Sequence, residues 1–121
     1  MARLNHEKRR QKRYAKRLAI EFVSDGQTYR GICRNLSLDG LFIKTRKPLP
    51  PERIINILVH LPDGSISKLT GKVTRAIRDP HGLIFAAAGI PPKDGMGIQL
   101  LEKDANYLSF VGSLLSASGS A

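Results

Sequence analysis

Apolar and polar residues alternate in short runs from residue 18 onward, and turn residues separate the runs. Leu18, Ile20 and Phe22 alternate with their neighbours, which is typical of a β-strand with one buried face. The Asp-Gly pair at 25–26 favours a tight hairpin turn, because both positions readily adopt positive φ angles. The pattern predicts six or seven short strands, at residues 18–23, 27–34, 41–45, 53–61, 66–78, 83–88 and 95–101.

Proline and glycine mark the interruptions of this pattern. The Lys-Pro-Leu-Pro-Pro stretch at 47–51 cannot continue a ladder of backbone hydrogen bonds, since proline has no N–H donor. Residues 62–65 predict a second hairpin turn, and Gly71 predicts a bulge or bend inside the long strand 66–78. These interruptions indicate antiparallel connections between neighbouring strands.

The hydrophobic period changes near the C-terminus. Apolar residues recur at every third or fourth position, as on one face of an α-helix, at Tyr107, Phe110, Val111, Leu114 and Leu115. Asp104 is placed to cap the first turn of this helix, and the small polar residues from 116 onward are expected to fray.

Short strands, tight turns and one final helix predict an all-β (mainly) fold. We expect a six- to seven-stranded antiparallel β-barrel with a C-terminal α-helix, because closure removes exposed strand edges. The predicted organisation is a flexible basic arm at 1–17, the barrel with its helix at 18–116, and a frayed tail at 117–121.

The formal net charge of +10 is concentrated in the arm. Residues 1–17 contain eight Lys or Arg and one acid, a net charge of +7, which leaves +3 for the other 104 residues. Such an arm predicts an anionic partner: a nucleotide, a nucleic acid or an acidic membrane surface. A solvated tail that only keeps the protein soluble is the alternative.

Several other classes of site find no support in the sequence. Cys33 is the single cysteine, so an intrachain disulfide and a thiolate metal cluster are excluded, and it fits a small core residue. The histidines at 6, 60 and 81 lack metal-ligand spacing, and no carboxylate pair suggests acid–base catalysis.

The longest apolar run, 83–90, is far shorter than the roughly 20 residues of a membrane span. We therefore expect a cytoplasmic protein that is not an enzyme and uses no metal or cofactor.

Two short motifs carry the chemistry. Arg9 and Arg13 form an R-x-x-x-R pattern in the arm, and Asn35, Ser37 and Gly40 form N-x-S-x-x-G between two predicted strands. The guanidinium fork of arginine matches phosphate oxygens and the O6/N7 edge of guanine, and its flat face stacks on a base. A mobile arm with two such groups can close over a nucleotide that rests on a rigid surface.

The second motif would be that surface. Asn35 and Ser37 offer short donors and acceptors in a turn, within reach of a base edge or a phosphate. Gly40 permits a positive φ and a close approach of the backbone to a ligand. The carboxylate of Asp39 can accept a hydrogen bond from N1 or N2 of guanine.

In this order and separation, the motifs resemble the paired signature of bacterial PilZ domains, R-x-x-x-R followed by D/N-x-S-x-x-G. Those domains have a six-stranded β-barrel, with the arginine motif just before the first strand and the second motif after the second strand. A glycine-rich strand like residues 95–99, followed by a helix, is also typical of them. The resemblance spans most of the chain, and all five motif positions are filled.

The resemblance implies that the chain binds cyclic di-GMP. Arg9 and Arg13 would hold guanine and phosphate groups, and Asn35 and Ser37 would contact a guanine and a neighbouring phosphate. Flanking side chains would add contacts, namely Lys8 and Arg10. Family members bind either one ligand or an intercalated pair, and the residue before the first arginine influences which; both stoichiometries stay open here.

The expected function is therefore a non-catalytic receptor or adaptor. Cyclic di-GMP would order the arm over the barrel and change the surface offered to a downstream protein partner. One alternative is an RNA- or single-strand-binding module, which needs an exposed aromatic platform. Nucleic acid is not the expected partner, because the chain has no Trp, and Phe22, Tyr107 and Phe110 lie on predicted core faces. The other alternative is a protein-interaction adaptor that needs no ligand.

Overall fold

A computed structural model describes residues 14, 16–81, 84, 87–89 and 93–119, with side chains of the last helix described as far as 114. The described part contains six β-strands and one long α-helix. Their bounds are β1 Leu18–Ser24, β2 Gln27–Arg34, β3 Gly40–Lys44, β4 Ile54–His60, β5 Ile66–Ile77, β6 Gly95–Glu102 and α1 Ala105–Gly119.

The strands close into a barrel in the order β1-β2-β3-β6-β5-β4. Every neighbouring pair is antiparallel, including β1 with β4, which closes the sheet. Closure satisfies the backbone groups of strands that would otherwise lie at an edge. The mainly β barrel with a C-terminal helix is thus confirmed, with six strands.

The barrel interior is filled by one face of each strand, as the alternation predicts. Phe22 is fully buried and stacks on Tyr29, with ring centroids 5.1 Å apart. Cys33 is also fully buried, and loss of solvation raises the pKa of its thiol to about 12, so it behaves as a core residue. Tyr107 and Val111 of α1 complete this core from one side of the barrel.

The predicted hairpin turns are present. Asp25 and Gly26 have φ angles of 53° and 77°, as a tight Asp-Gly turn requires, and Gly64 has a φ of 90° in the turn between β4 and β5. The pairing of β5 with β6 is irregular between Thr70 and Gly71, which confirms the bulge expected at Gly71. A second irregularity, between Val73 and Arg75, was not predicted.

The described residues of the predicted strand at 83–88, which are Ile84, Ala87 and Ala88, do not form a seventh strand. Ile84 and Ala87 are helical, and the N–H of Ala88 donates to the carbonyl of Ile84 at 3.2 Å. This run is apolar without a period of two, and it contains three successive alanines, which favour a helical turn over a strand.

Two structural features lie at the boundaries of the predicted units. Tyr14, inside the predicted arm, pairs with Leu36 in an isolated antiparallel bridge. Helix α1 extends to Gly119, past the residue at which the predicted barrel unit ends. Within the ranges that the structure describes, no helix is long and apolar enough to cross a membrane.

Candidate ligand-binding site

The N-x-S-x-x-G motif forms the connection between β2 and β3. Asn35 directly follows β2, is exposed, and has a φ of 52°. Asparagine tolerates this left-handed conformation better than most residues, so it reverses the chain at low cost. Leu36, the next residue, is fully buried and anchors the turn in the core. The amide of Asn35 is therefore presented to solvent from a fixed backbone.

Ser37 closes the turn from inside. Its hydroxyl donates to the carbonyl of Gly40 and accepts from the N–H of Gly40, each at 3.2 Å, and its own N–H donates to that carbonyl at 2.8 Å. The residue is only 2% exposed. In this geometry the Ser37 side chain holds the shape of the turn, whereas the sequence suggested a group pointing toward a ligand.

Gly40 is required for a different reason from the one predicted. It has no positive φ; the left-handed residue of the motif is Asn35. A Cβ at Gly40 would lie 2.9 Å from the carbonyl oxygen of Ile98, on the neighbouring strand β6. Close packing between β3 and β6, rather than conformational freedom, excludes a side chain at this position.

Asp39 lies at the exposed tip of the motif. Its carboxylate is 2.9 Å from Nζ of Lys103, and its carbonyl accepts from the N–H of Leu100 at 2.8 Å. The Asp39 side chain is 57% exposed, so the ion pair contributes only about 0–1 kcal/mol and can exchange for contacts with a ligand.

A buried hydrogen bond joins helix α1 to the motif. The hydroxyl of Tyr107 donates to the carbonyl of Ser37. Burial, and to a lesser extent the neighbouring Cys33 and Asp39, raise the pKa of Tyr107 well above its usual value, so it stays protonated as a donor. No local sequence pattern indicates this contact, because the partners are 70 residues apart.

The C-terminal end of the arm is fixed beside the same turn. The N–H of Tyr14 donates to the carbonyl of Leu36 at 2.8 Å, and the N–H of Leu36 donates to the carbonyl of Tyr14 at 3.0 Å. Leu36 stands between Asn35 and Ser37 in the motif. The predicted ligand residues of the arm, Lys8, Arg9, Arg10 and Arg13, lie outside the described residues.

The amino-acid sequence of this chain matches the model of a known domain family. Residues 7–115 match the family model of the PilZ domain. The chain belongs to the PilZ domain family. This is a family of cyclic di-GMP receptors and adaptors, whose members are generally non-catalytic.

A solved structure shares the PilZ fold of this chain. It is that of the Bacillus subtilis inhibitor of motility MotI/DgrA, with a TM-score of 0.67 and 16% sequence identity. The match covers 85% of this chain and 47% of the other, so the chain spans about half the length of that protein. A comparison with curated protein sequences finds no match.

Two cavities lie beside the barrel strands, and none of the residues that line them belongs to the motif, although Lys103, which pairs with Asp39, lines the first. One, of about 330 Å³, opens over β4, β5 and the end of β6, beside Lys68, Thr70 and Glu102. Another, of about 290 Å³, lies between the β4–β5 turn and α1, beside Leu61 and Phe110. The motif itself is an exposed corner, which suits a ligand covered by a second segment of chain rather than a preformed pocket.

Metal chemistry has no visible basis in the described ranges. Among those residues, no group of three or more His, Cys, Asp or Glu side chains lies close enough together to hold a metal ion.

Proposed function

We propose that this PilZ domain is a cyclic di-GMP receptor in which the arginine arm folds over the turn at 35–40. The observation that carries this proposal is the bridge between Tyr14 and Leu36, which attaches the end of the arm to the middle of the second motif. This attachment of Tyr14 supports contact between two motifs that are distant in the sequence.

Covalent geometry supports contact between the motifs. Arg13 directly precedes Tyr14 in the sequence. Consecutive Cα atoms are about 3.8 Å apart, and antiparallel partners are about 5 Å apart. A side chain as long as that of arginine, attached one residue before Tyr14, is therefore expected to reach a ligand at the turn.

The chemistry of the two motifs is complementary to a cyclic guanine dinucleotide. Arg9 and Arg13 supply planar forks for guanine O6/N7 and for phosphate oxygens. Asn35 offers an exposed amide that can both donate and accept at a guanine edge, and Asp39 can accept from guanine N1 or N2. Lys8 and Arg10 add positive charge close to the two phosphates.

Ser37 and Gly40 take part by shaping the turn. The Ser37 hydroxyl bonds the Gly40 peptide from inside, and Gly40 admits the close approach of β6. Contact between Ser37 and a ligand phosphate would require its hydroxyl to exchange these internal bonds. We therefore propose that Ser37 affects affinity mainly through the position of Asn35.

Ligand binding would create the output of this domain. Residues 1–17 carry a net charge of +7, so the arm repels itself until the two phosphates of the ligand are bound. The ordered arm would then present a new surface to a downstream protein partner. In this scheme the domain binds cyclic di-GMP and does not convert it chemically.

Calorimetric titration of the full chain with cyclic di-GMP tests the proposal. We expect saturable binding at micromolar or lower concentration, and we expect Arg9→Ala and Arg13→Ala each to weaken it by about 10- to 100-fold, the worth of a charge-assisted hydrogen bond. Thermal unfolding of both variants should match that of the unmodified protein, because in this proposal the two arginines contact the ligand and not the core.

Arg17→Ala is the matched control, because Arg17 is exposed and lies beyond the Tyr14 bridge. It removes the same charge and should change affinity by less than about threefold. GTP and a short single-stranded RNA complete the comparison. Absence of binding to cyclic di-GMP, or tighter binding of RNA without dependence on guanine, would contradict the proposal.

A further inference from the structure

A row of four residues crosses the outer face of the barrel next to the motif. In the strand register, Arg34 of β2 pairs with Phe42 of β3, Phe42 pairs with Gly97 of β6, and Gly97 pairs with Arg75 of β5. We call Arg34, Phe42, Gly97 and Arg75 the outer row. It begins one residue before Asn35 and spans three strand spacings, about 14 Å.

The bulge in β5 turns Arg75 outward. Ser67, Leu69, Gly71 and Val73 are buried at alternate positions, and an uninterrupted strand would place residue 75 inside the barrel with them. The register instead shifts between Val73 and Arg75, which leaves Thr74 and Arg75 both exposed. Bulges commonly re-aim a side chain beside a binding site.

Two glycines of β6 leave the outer face flat. A Cβ built on Gly97 would lie 3.3 Å from both Cγ and Nε of Arg75, so the arginine side chain extends across this glycine. A Cβ on Gly95 would lie 2.5 Å from the ring of Phe42, so the ring lies on the backbone of Gly95. The Phe42 ring and the Arg75 side chain therefore cover two positions of β6 that are two residues apart.

The charges of the outer row have no counter-charge of their own. Arg34 and Arg75 are both exposed, and neither forms an ion pair within the part of the chain that the structure describes. Arg53, by contrast, directly precedes β4 and pairs at 2.6 Å with Asp25 in the turn between β1 and β2. Two unpaired guanidinium groups at either side of an aromatic ring favour a flat anionic ligand.

We propose that the outer row is a second part of the ligand site and binds one base and one phosphate of a guanine dinucleotide held at the turn. The base stacks on the Phe42 ring, while Arg75, whose side chain extends across Gly97, binds a phosphate or the O6/N7 edge of that base. Arg34 binds the ligand where the outer row meets Asn35. This inference rests on the proposed function and assigns residues outside both sequence motifs.

Titration of the full chain with cyclic di-GMP tests the outer row. We expect Arg75→Ala to weaken binding about tenfold, and Arg75→Lys to recover only part of the loss, because lysine keeps the charge but lacks the planar fork. Phe42→Leu should weaken binding severalfold through the loss of stacking. Thermal unfolding of the Arg75 variants should be unchanged, since the side chain lies outside the core.

Arg30→Ala is the matched control for charge. Arg30 is exposed on β2, four residues before Arg34 and about 13 Å from it, and its register partner is Glu21 of β1. Its removal should leave the affinity within about twofold.

The outcomes separate the two proposals. If Arg13→Ala loses affinity while Arg75→Ala binds as tightly as Arg30→Ala, the outer row is not part of the site and the arm proposal stands. If the unmodified protein does not bind cyclic di-GMP, both proposals are overturned. If Arg75→Ala and Arg30→Ala weaken binding equally, only the net charge matters and the outer row is refuted.

Discussion

Individual residues of the N-x-S-x-x-G motif have structural roles in the turn that cannot be predicted from the motif pattern alone. The sequence identified Asn35, Ser37 and Gly40 as one unit, because turn residues between two strands are readable from the chain. It assigned the positive φ to Gly40, whereas Asn35 has it. The true constraint on Gly40 comes from the carbonyl of Ile98, 58 positions later, and no local pattern reports such a contact.

Replacement of Ser37 tests its role within the turn. Ser37→Ala leaves the buried N–H of Gly40 without its side-chain acceptor, so we expect the free energy of unfolding to fall by about 1–2 kcal/mol. Urea denaturation measures this change. Ser109→Ala, on the exposed face of α1, is the control and should change stability by less than about 0.5 kcal/mol. Equal stability of Ser37→Ala and the unmodified protein would show that the hydroxyl is not structural.

At the scale of elements, helix α1 is fixed to the barrel by the carboxylate at its N-terminus. Asp104 accepts from the N–H of Tyr107 at 2.9 Å, as the sequence predicted for a cap. The same carboxylate also accepts from the Ser67 hydroxyl and the Lys68 N–H of β5, both at 2.7 Å. Capping was predictable because it is local, but the contacts to β5 depend on how the barrel closes.

The cap predicts a specific sensitivity to acid. Burial acts to raise the pKa of Asp104, but the hydrogen bonds from Lys68, Ser67 and Tyr107 outweigh it and hold the pKa below its usual 3.8. A carboxyl group whose pKa is lowered by folding stabilises the protein above pH 3.8 and loses this effect as the pH falls through the lowered value.

Urea denaturation at several pH values measures that effect. Asp104→Asn should cost about 1–3 kcal/mol at pH 7, because the amide can cap the helix but cannot also accept from the Lys68 N–H with a second oxygen, and progressively less below pH 4. Glu102→Gln is the control, because Glu102 is an exposed carboxylate two residues earlier that caps nothing. A constant difference between Asp104→Asn and the unmodified protein across this range would contradict the linkage.

For the whole molecule, sequence patterns predicted the barrel class and most strand positions. Alternation and turn chemistry are local signals, so β1, β2 and their Asp-Gly turn were located closely. Local patterns do not indicate long-range pairings. These pairings are the strand order β3-β6-β5-β4, the closing pair of β1 with β4, and the bridge from Tyr14 to Leu36. The strand predicted at 83–88 was wrong for its described residues, because a short apolar run was read as a strand although it lacks a period of two.

The same long-range pairings create the candidate site. The arm and the motif are brought together by the bridge, and the outer row exists only because β2, β3, β6 and β5 are neighbours in the closed sheet. The resemblance predicts the two motifs as ligand residues, and that stays a prediction; the sequence did not predict that Tyr14 pairs with Leu36.

Amide NMR spectra of the full chain during titration with cyclic di-GMP test the central claim most directly. We expect saturable shifts of the amides of Arg9, Arg13 and Asn35 with one common dissociation constant, because one ligand is held between the arm and the turn. Shifts restricted to the arm, shifts around the β4–β5 cavity without the turn, or an unchanged spectrum at saturating ligand would contradict the account.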